Sequence, residues 1–187
     1  MGQRSQIYIR YDEKLIVANY YQWNYGDLMI SRARGVIEYI KHYLDCEYYF
    51  IFKDKSYLKK ISRICDVNFD YRDIAISCDI VQEWKEQFSG EDFNDIVFRQ
   101  QDNNDGQLFI DITKDGKIKY AFSENPDYEQ IMTAEKYLEW DYGKEWETSL
   151  SQEIVDTCKA NVKYIQETAE LMTAEELNQF VNAKYEI

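Results

Sequence analysis

The sequence predicts an α+β fold. An antiparallel sheet, made of an N-terminal hairpin and a three-stranded meander, packs against helices, and a helical C-terminal segment follows. Three observations carry this expectation. Residues 6–23 hold two strand-like runs around a short polar turn. Residues 96–122 hold three more, separated by turns that end in Asp-Gly. Beyond Pro126 the apolar residues recur at helical spacing. The expected layout is an α+β core over residues 1–125 and an acidic helical segment over 126–187, packed on that core as a single domain. A chain of 187 residues is long enough for a sizeable core.

Taken in order, Gln6-Ile-Tyr-Ile-Arg-Tyr11 alternates apolar and polar positions at period two. Asp12-Glu-Lys14 turns the chain, and Leu15 to Trp23 is rich in β-branched and aromatic residues, as a second strand requires. Asn24-Tyr-Gly26 breaks that strand. Asp27 is a good cap for a helix reaching about Leu44, with Met29, Ala33, Val36, Ile37, Ile40 and Leu44 as its inner stripe. Glu47 to Phe52 reads as a buried strand or part of a helix. Ser56 can cap a short helix through Cys65, and Asp70 to Ile76 is irregular or a short strand. A further helix carries Ile80, Val81, Trp84 and Phe88 and stops near Gly90.

The meander consists of Ile96–Gln100, Leu108–Ile112 and Lys117–Phe122, joined by Asp102-Asn-Asn-Asp-Gly106 and Asp115-Gly116. Both turns call for positive φ at glycine. Thr133 and Thr173 are placed to cap helices, and Thr173 with Glu176, like Ser149 with Gln152, fits the reciprocal capping box. Leu150, Ile154, Cys158, Val162, Ile165 and Ala169 form one amphipathic stripe; Leu177, Phe180 and Val181 form a shorter one.

Charge is unevenly distributed. Residues 1–60 carry ten Lys/Arg against seven Asp/Glu, residues 61–120 seven against thirteen, and residues 121–187 five against fifteen. A formal net charge of −13 makes the surface repel a phosphate backbone, so direct binding of duplex DNA is disfavoured. Cys46, Cys65, Cys78 and Cys158 contain no CxxC pair, which supports reduced and mostly buried thiols over a zinc or redox site. No apolar signal core follows the first residues, and no run approaches the ~20 residues that span a bilayer. The expected protein is soluble and cytoplasmic, without membrane association.

Catalytic motifs are missing from the sequence. His42 is the only histidine, and there is no GxGxxG, GxxxxGK[ST] or HExxH. The Asp-rich turns fail as calcium loops, because Ile112 or Phe122 falls where the twelfth-position carboxylate must be. No metal or cofactor is expected, and the sequence leans against an enzyme without deciding the point. Two clusters stand out. Tyr20-Tyr-Gln-Trp-Asn-Tyr25 lies near several arginines, so Arg4, Tyr21, Trp23, Tyr25, Arg32 and Arg34 are candidates for stacking on a base and holding phosphate. The plainer reading, which the pattern favours, puts Tyr20 and Trp23 in the core and uses the other rings to wedge the hairpin against the helix. In the acidic end, Glu129, Glu135, Glu139, Trp140, Asp141, Glu145, Trp146 and Glu147 set aromatic side chains among carboxylates. That mixture suits a protein interface as well as a solvated helix face.

Arg4-Ser-Gln-Ile7, Tyr20-Tyr-Gln-Trp-Asn-Tyr-Gly26 and Ile30-Ser-Arg-Ala-Arg34 resemble a group of small acidic accessory proteins from phages and prophages of Gram-positive bacteria. Gln101 to Gly106, Leu108-Phe-Ile-Asp111 and Lys119-Tyr-Ala-Phe122 are similar to the same group. The resemblance implies a role inside the host cell as an inhibitor of host defence, such as an anti-CRISPR protein acting on a Cas9 nuclease. No catalytic residues come with it. The leading expectation is therefore a non-enzymatic inhibitor whose acidic aromatic surface binds a basic nucleic-acid-handling host protein. The alternatives are a nucleotide-binding protein or small enzyme using the Tyr20–Tyr25 cluster, and a phage structural accessory protein.

Overall fold

The computed structural model describes residues 3–45, 77–88, 93–101, 104–124 and 130–185. Strands β1 (Arg4–Tyr11) and β2 (Lys14–Gln22) form the expected antiparallel hairpin. Its two-residue loop holds Asp12 and Glu13 at φ 45° and 66°. Positive φ at both positions lets a tight loop follow the right-handed twist of its strands. A register shift between Ile9 and Arg10 adds a local bulge. Strand β3 (Ser77–Asp79) lies outside β2. Strands β4 (Gln107–Ile112) and β5 (Ile118–Ser123) make a second antiparallel hairpin, with Gly116 at φ 84° in its turn. The outer edge of β5 is shared. Strand β6 (Ile131–Met132) pairs with Phe122 and Ser123, and β7 (Glu170–Leu171) pairs with Lys119 and Tyr120.

The sheet is mixed, which corrects the expectation of a purely antiparallel one. Its order is β3-β2-β1-β4-β5-β6, and both β1–β4 and β5–β7 are parallel. The expected first meander strand is the reason. Residues Asp95–Arg99 form a π-helical turn. Side chains take up its carbonyl groups: Gln101 Nε2 donates to Ile96 at 2.8 Å, Tyr8 Oη to Val97 at 2.6 Å and Gln107 Nε2 to Phe98 at 2.9 Å. With those groups satisfied off the sheet, the free edge of β4 accepts β1 instead.

Helices cover both faces. They are α1 (Gly26–Asp45), α2 (Ile80–Glu83), α3 (Ala134–Tyr142), α4 (Trp146–Ser149), α5 (Gln152–Thr168) and α6 (Ala174–Asn182). Because side chains alternate along a strand, Ile7, Ile9, Leu108, Ile110, Tyr120 and Phe122 point to one face, where α1, α3 and α5 pack. Tyr8, Ala18, Phe109 and Ala121 point to the other, against Val97, Phe98 and the Leu177, Phe180 and Val181 face of α6. Tyr8 stacks on Phe109 at 5.0 Å. Arg10 bridges to Asp111 through two contacts of 2.9 and 2.6 Å and lies 4.5 Å from the Phe180 ring, which ties α6 to the sheet.

Local signals explain most helix starts. Thr133 accepts the Lys136 N–H, and Thr173 and Glu176 form the full capping box. Helix α5 is capped by Ser151 rather than by Ser149, because Ser149 closes the short α4 and Leu150 between them is extended. Asp27 lies inside the first turn of α1, which already begins at Gly26. The helix expected after Ile80 is a single turn. The expectations for Glu47–Phe52, Ser56–Cys65, Asp70–Ile76 and Gly90 fall outside the described residues, as do Cys46 and Cys65. Cys158 is a free, buried thiol, and burial pushes its pKa up to about 12. Among the described residues no helix is long and apolar enough to cross a membrane.

Candidate functional site

Parts of both predicted clusters meet at one end of the sheet. After β2 the chain passes through Trp23, held at φ 62°, whose N–H donates to the Gln3 carbonyl at 2.7 Å. Gly26 then starts α1 at φ 43°. A Cβ at Gly26 would lie 2.3 Å from ring atoms of Tyr142, so the start of α1 rests directly on the last residue of α3. The Tyr142 hydroxyl donates to Asp27 Oδ1 at 2.5 Å, and the Tyr25 ring meets Tyr142 edge-on at 6.3 Å. The turn before β4 closes a third side. A Cβ at Gly106 would meet Tyr137 at 3.2 Å and Trp140 at 3.3 Å, and Tyr137 Oη donates to the Asp105 carbonyl at 2.8 Å.

Three carboxylates converge on this junction. Asp105 is buried and accepts the Arg4 backbone N–H; burial raises its pKa and the Arg4 contact opposes the rise. Asp141 is half-buried. Burial, followed by the negative charge of Asp105, pushes it up to about 6, against the backbone N–H of Gly26, while Asp27 adds to the rise. Its Oδ2 atom is buried without a hydrogen-bond partner among the described residues. Burial is also the first cause of the raised Tyr137 and Tyr142 pKa values, and negative neighbours reinforce it. Among the described residues no three His, Cys, Asp or Glu side chains are arranged to hold a metal ion. A cavity of about 240 Å³ lies away from the junction, lined by Lys41, Leu44, Asp45, Lys117, Ile118 and Glu170 among others.

No protein-family model matches this chain, and no curated protein or solved structure matches it. What the site can do therefore follows from its own residues.

The candidate ligand residues divide. Tyr21 is fully buried, with the Arg32 guanidinium 4.6 Å above its ring. Arg32 Nε donates to Asn24 Oδ1 at 3.0 Å, and Asn24 Nδ2 donates to Ser5 Oγ at 2.9 Å. These two side chains belong to an internal polar network that fixes the β2–α1 corner. Arg34 lies about two helical turns beyond Gly26. It pairs with Glu38 at 3.0 Å and stacks 5.0 Å from Tyr164 of α5. Arg4 begins β1 beside Asp105. Trp23 is 43 % exposed and Tyr25 is half-buried, so these two remain near the surface.

The candidate partner residues divide as well. Glu135, Glu139, Glu145 and Glu147 are exposed, and Glu147 accepts Lys159 at 2.6 Å. Trp140 and Asp141 are half-buried. Trp146 is in the core at 5 % exposure and offers no ring to a partner. Glu129 lies outside the described residues. Sequence reasoning overlooked Asp27, Asp105 and Tyr142 as members of one site. Asp105 was visible only as a turn residue, and nothing local links Asp27 to a tyrosine 115 positions away.

Proposed function

We propose that the protein is a non-enzymatic inhibitor that binds a basic, nucleic-acid-handling host protein through the acidic surface of α3, α4 and α5. One observation carries the reading: Glu135, Glu139, Glu145, Glu147, Glu153 and Asp156 all face solvent. Among the described residues, Glu147 alone of these six pairs with a lysine, Lys159. A row of exposed carboxylates imitates the charge that a nucleic-acid groove is built to receive, and complementary charge speeds association. Trp140, half-buried at the same junction, supplies an aromatic contact. The resemblance to phage accessory proteins adds the partner class, a CRISPR nuclease such as Cas9. The nucleotide-binding alternative is less well supported, because Tyr21 and Arg32 are engaged with each other inside the protein.

The test is inhibition of DNA cleavage by a Cas9 ribonucleoprotein, with binding measured in parallel at low and high salt. Inhibition that weakens with salt and with competing duplex DNA is expected. It should fall at least tenfold when Glu135, Glu139 and Glu145 are replaced by Lys in a variant whose circular dichroism is unchanged. A charge-reversed variant that inhibits equally well overturns the role of this surface. Failure to inhibit or bind the nuclease removes that partner.

A further inference from the structure

We propose that the junction between the end of α3 and the start of α1 is a proton-operated latch, closed when Asp141 is protonated and loosened when it ionises. The latch needs no partner to operate. It rests on what surrounds Asp141. From α1 come the Asp27 carboxylate and the Gly26 N–H; from the turn before β4 comes Asp105; from α3 itself come Tyr137 and Tyr142. Strand β1 contributes the Arg4 backbone N–H, which is directed to Asp105.

Among the described residues the buried Oδ2 of Asp141 has no hydrogen-bond partner. Protonated, Asp141 is neutral and adds no charge to the Asp27 and Asp105 pair. Ionised, it is a third negative charge beside Asp27 and Asp105, in a place where water is partly excluded. Asp141 immediately precedes Tyr142, whose ring supports Gly26 and whose hydroxyl holds Asp27. Repulsion at Asp141 therefore acts directly beside a residue that holds the two helices together. Gly143 follows at φ 92°, and a Cβ there would meet none of the described residues within 4 Å, so the chain beyond has room to give. Burial and Asp105 place the titration near pH 6, within reach of physiological change.

The deciding experiment combines a carboxyl ¹³C NMR titration with amide hydrogen exchange at pH 5.5 and 7.5, corrected for intrinsic rates. The latch predicts a midpoint near 6 for Asp141. It also predicts exchange at residues 26–28 and 142–146 that is several-fold faster at pH 7.5 than at pH 5.5. In Asp141→Asn those amides should stay protected at both values, whereas exposed Glu86→Gln should respond like the natural sequence. A midpoint below 5 overturns the proposal. So does exchange at the junction that is equal at both pH values, or an Asp141→Asn variant that still opens at pH 7.5. The NMR titration needs no variant and decides even if Asp141→Asn folds poorly.

Discussion

Tyr142 donates a 2.5 Å hydrogen bond to Asp27 across 115 residues of chain, and its ring fills the space where Gly26 has no side chain. The bond joins the last residue of α3 to the first turn of α1. It also gives Asp27, a buried carboxylate, a neutral donor. Tyr142→Phe keeps the ring and removes the donor. The loss should be about 1–3 kcal/mol, the range for leaving a buried charged acceptor short of a partner. Urea denaturation at pH 7.5 measures it, and a change within error means that water replaces the hydroxyl.

Gly26 is constrained twice, by its φ of 43° and by Tyr142 ring atoms 2.3 Å from where a Cβ would stand. Gly26→Ala should cost about 2–4 kcal/mol, since overpacking adds to the left-handed backbone penalty. In a Tyr142→Ala background the same substitution should cost only about 1 kcal/mol, because the clash is gone and the backbone penalty remains. Equal costs in both backgrounds, compared by urea denaturation, would show that the ring moves aside freely.

Stability should depend on pH through Asp141. Its folded pKa, about 6, lies above the ~3.9 of an unfolded aspartate. The folded protein therefore holds more protons between those values, and stability falls as pH rises from about 4 to about 6. Solvent screens a carboxylate that is only half-buried, which leaves a component of about 1–2 kcal/mol. Asp141→Asn should remove this component and raise the melting temperature at pH 7.5. Melting curves across pH 4–8 for both proteins check the sign. Parallel curves would mean that other carboxylates account for the slope.

Asp111 holds Arg10 through two contacts, and the guanidinium packs on Phe180 of α6. Asp111→Ala leaves a largely buried arginine without its counter-ion and should cost about 3–5 kcal/mol. A loss below ~1 kcal/mol in chemical denaturation would mean that Arg10 reaches water once released.

The hairpins and helices were legible where the signal is local. Alternation marked β1, the stripe from Met29 to Leu44 marked α1, and Gly106 and Gly116 took the positive φ that their turns demand. The parallel pairing of β1 with β4 was not legible. Both strands are buried on both faces, and their alternation says which residues share a face without saying which strand lies alongside. Ile96–Gln100 has the composition of a strand; its π-helical form depends on Tyr8 and Gln107, which are far off or across a turn. The site was half legible for the same reason. Trp146 lies between two exposed glutamates and looked like a surface anchor, but the short α4 turns its ring inward while Glu145 and Glu147 face water. Asp27 and Tyr142 meet only through the tertiary fold.

The shared outer edge of β5 has a consequence for shortened forms of the chain. At Glu170–Leu171 the polypeptide passes from α5 on one face of the sheet to α6 on the other, bonding to β5 on the way. A chain ended before Glu170 would lose the α6 part of the cover over Tyr8 and Phe109 and, in the same cut, uncap a strand edge at Lys119–Tyr120. Exposed apolar surface beside unpaired backbone is the condition under which sheets join from molecule to molecule. The stretch from Glu170 onward thus acts as a guard against self-association, and a truncated product would precipitate rather than persist as a smaller folded domain.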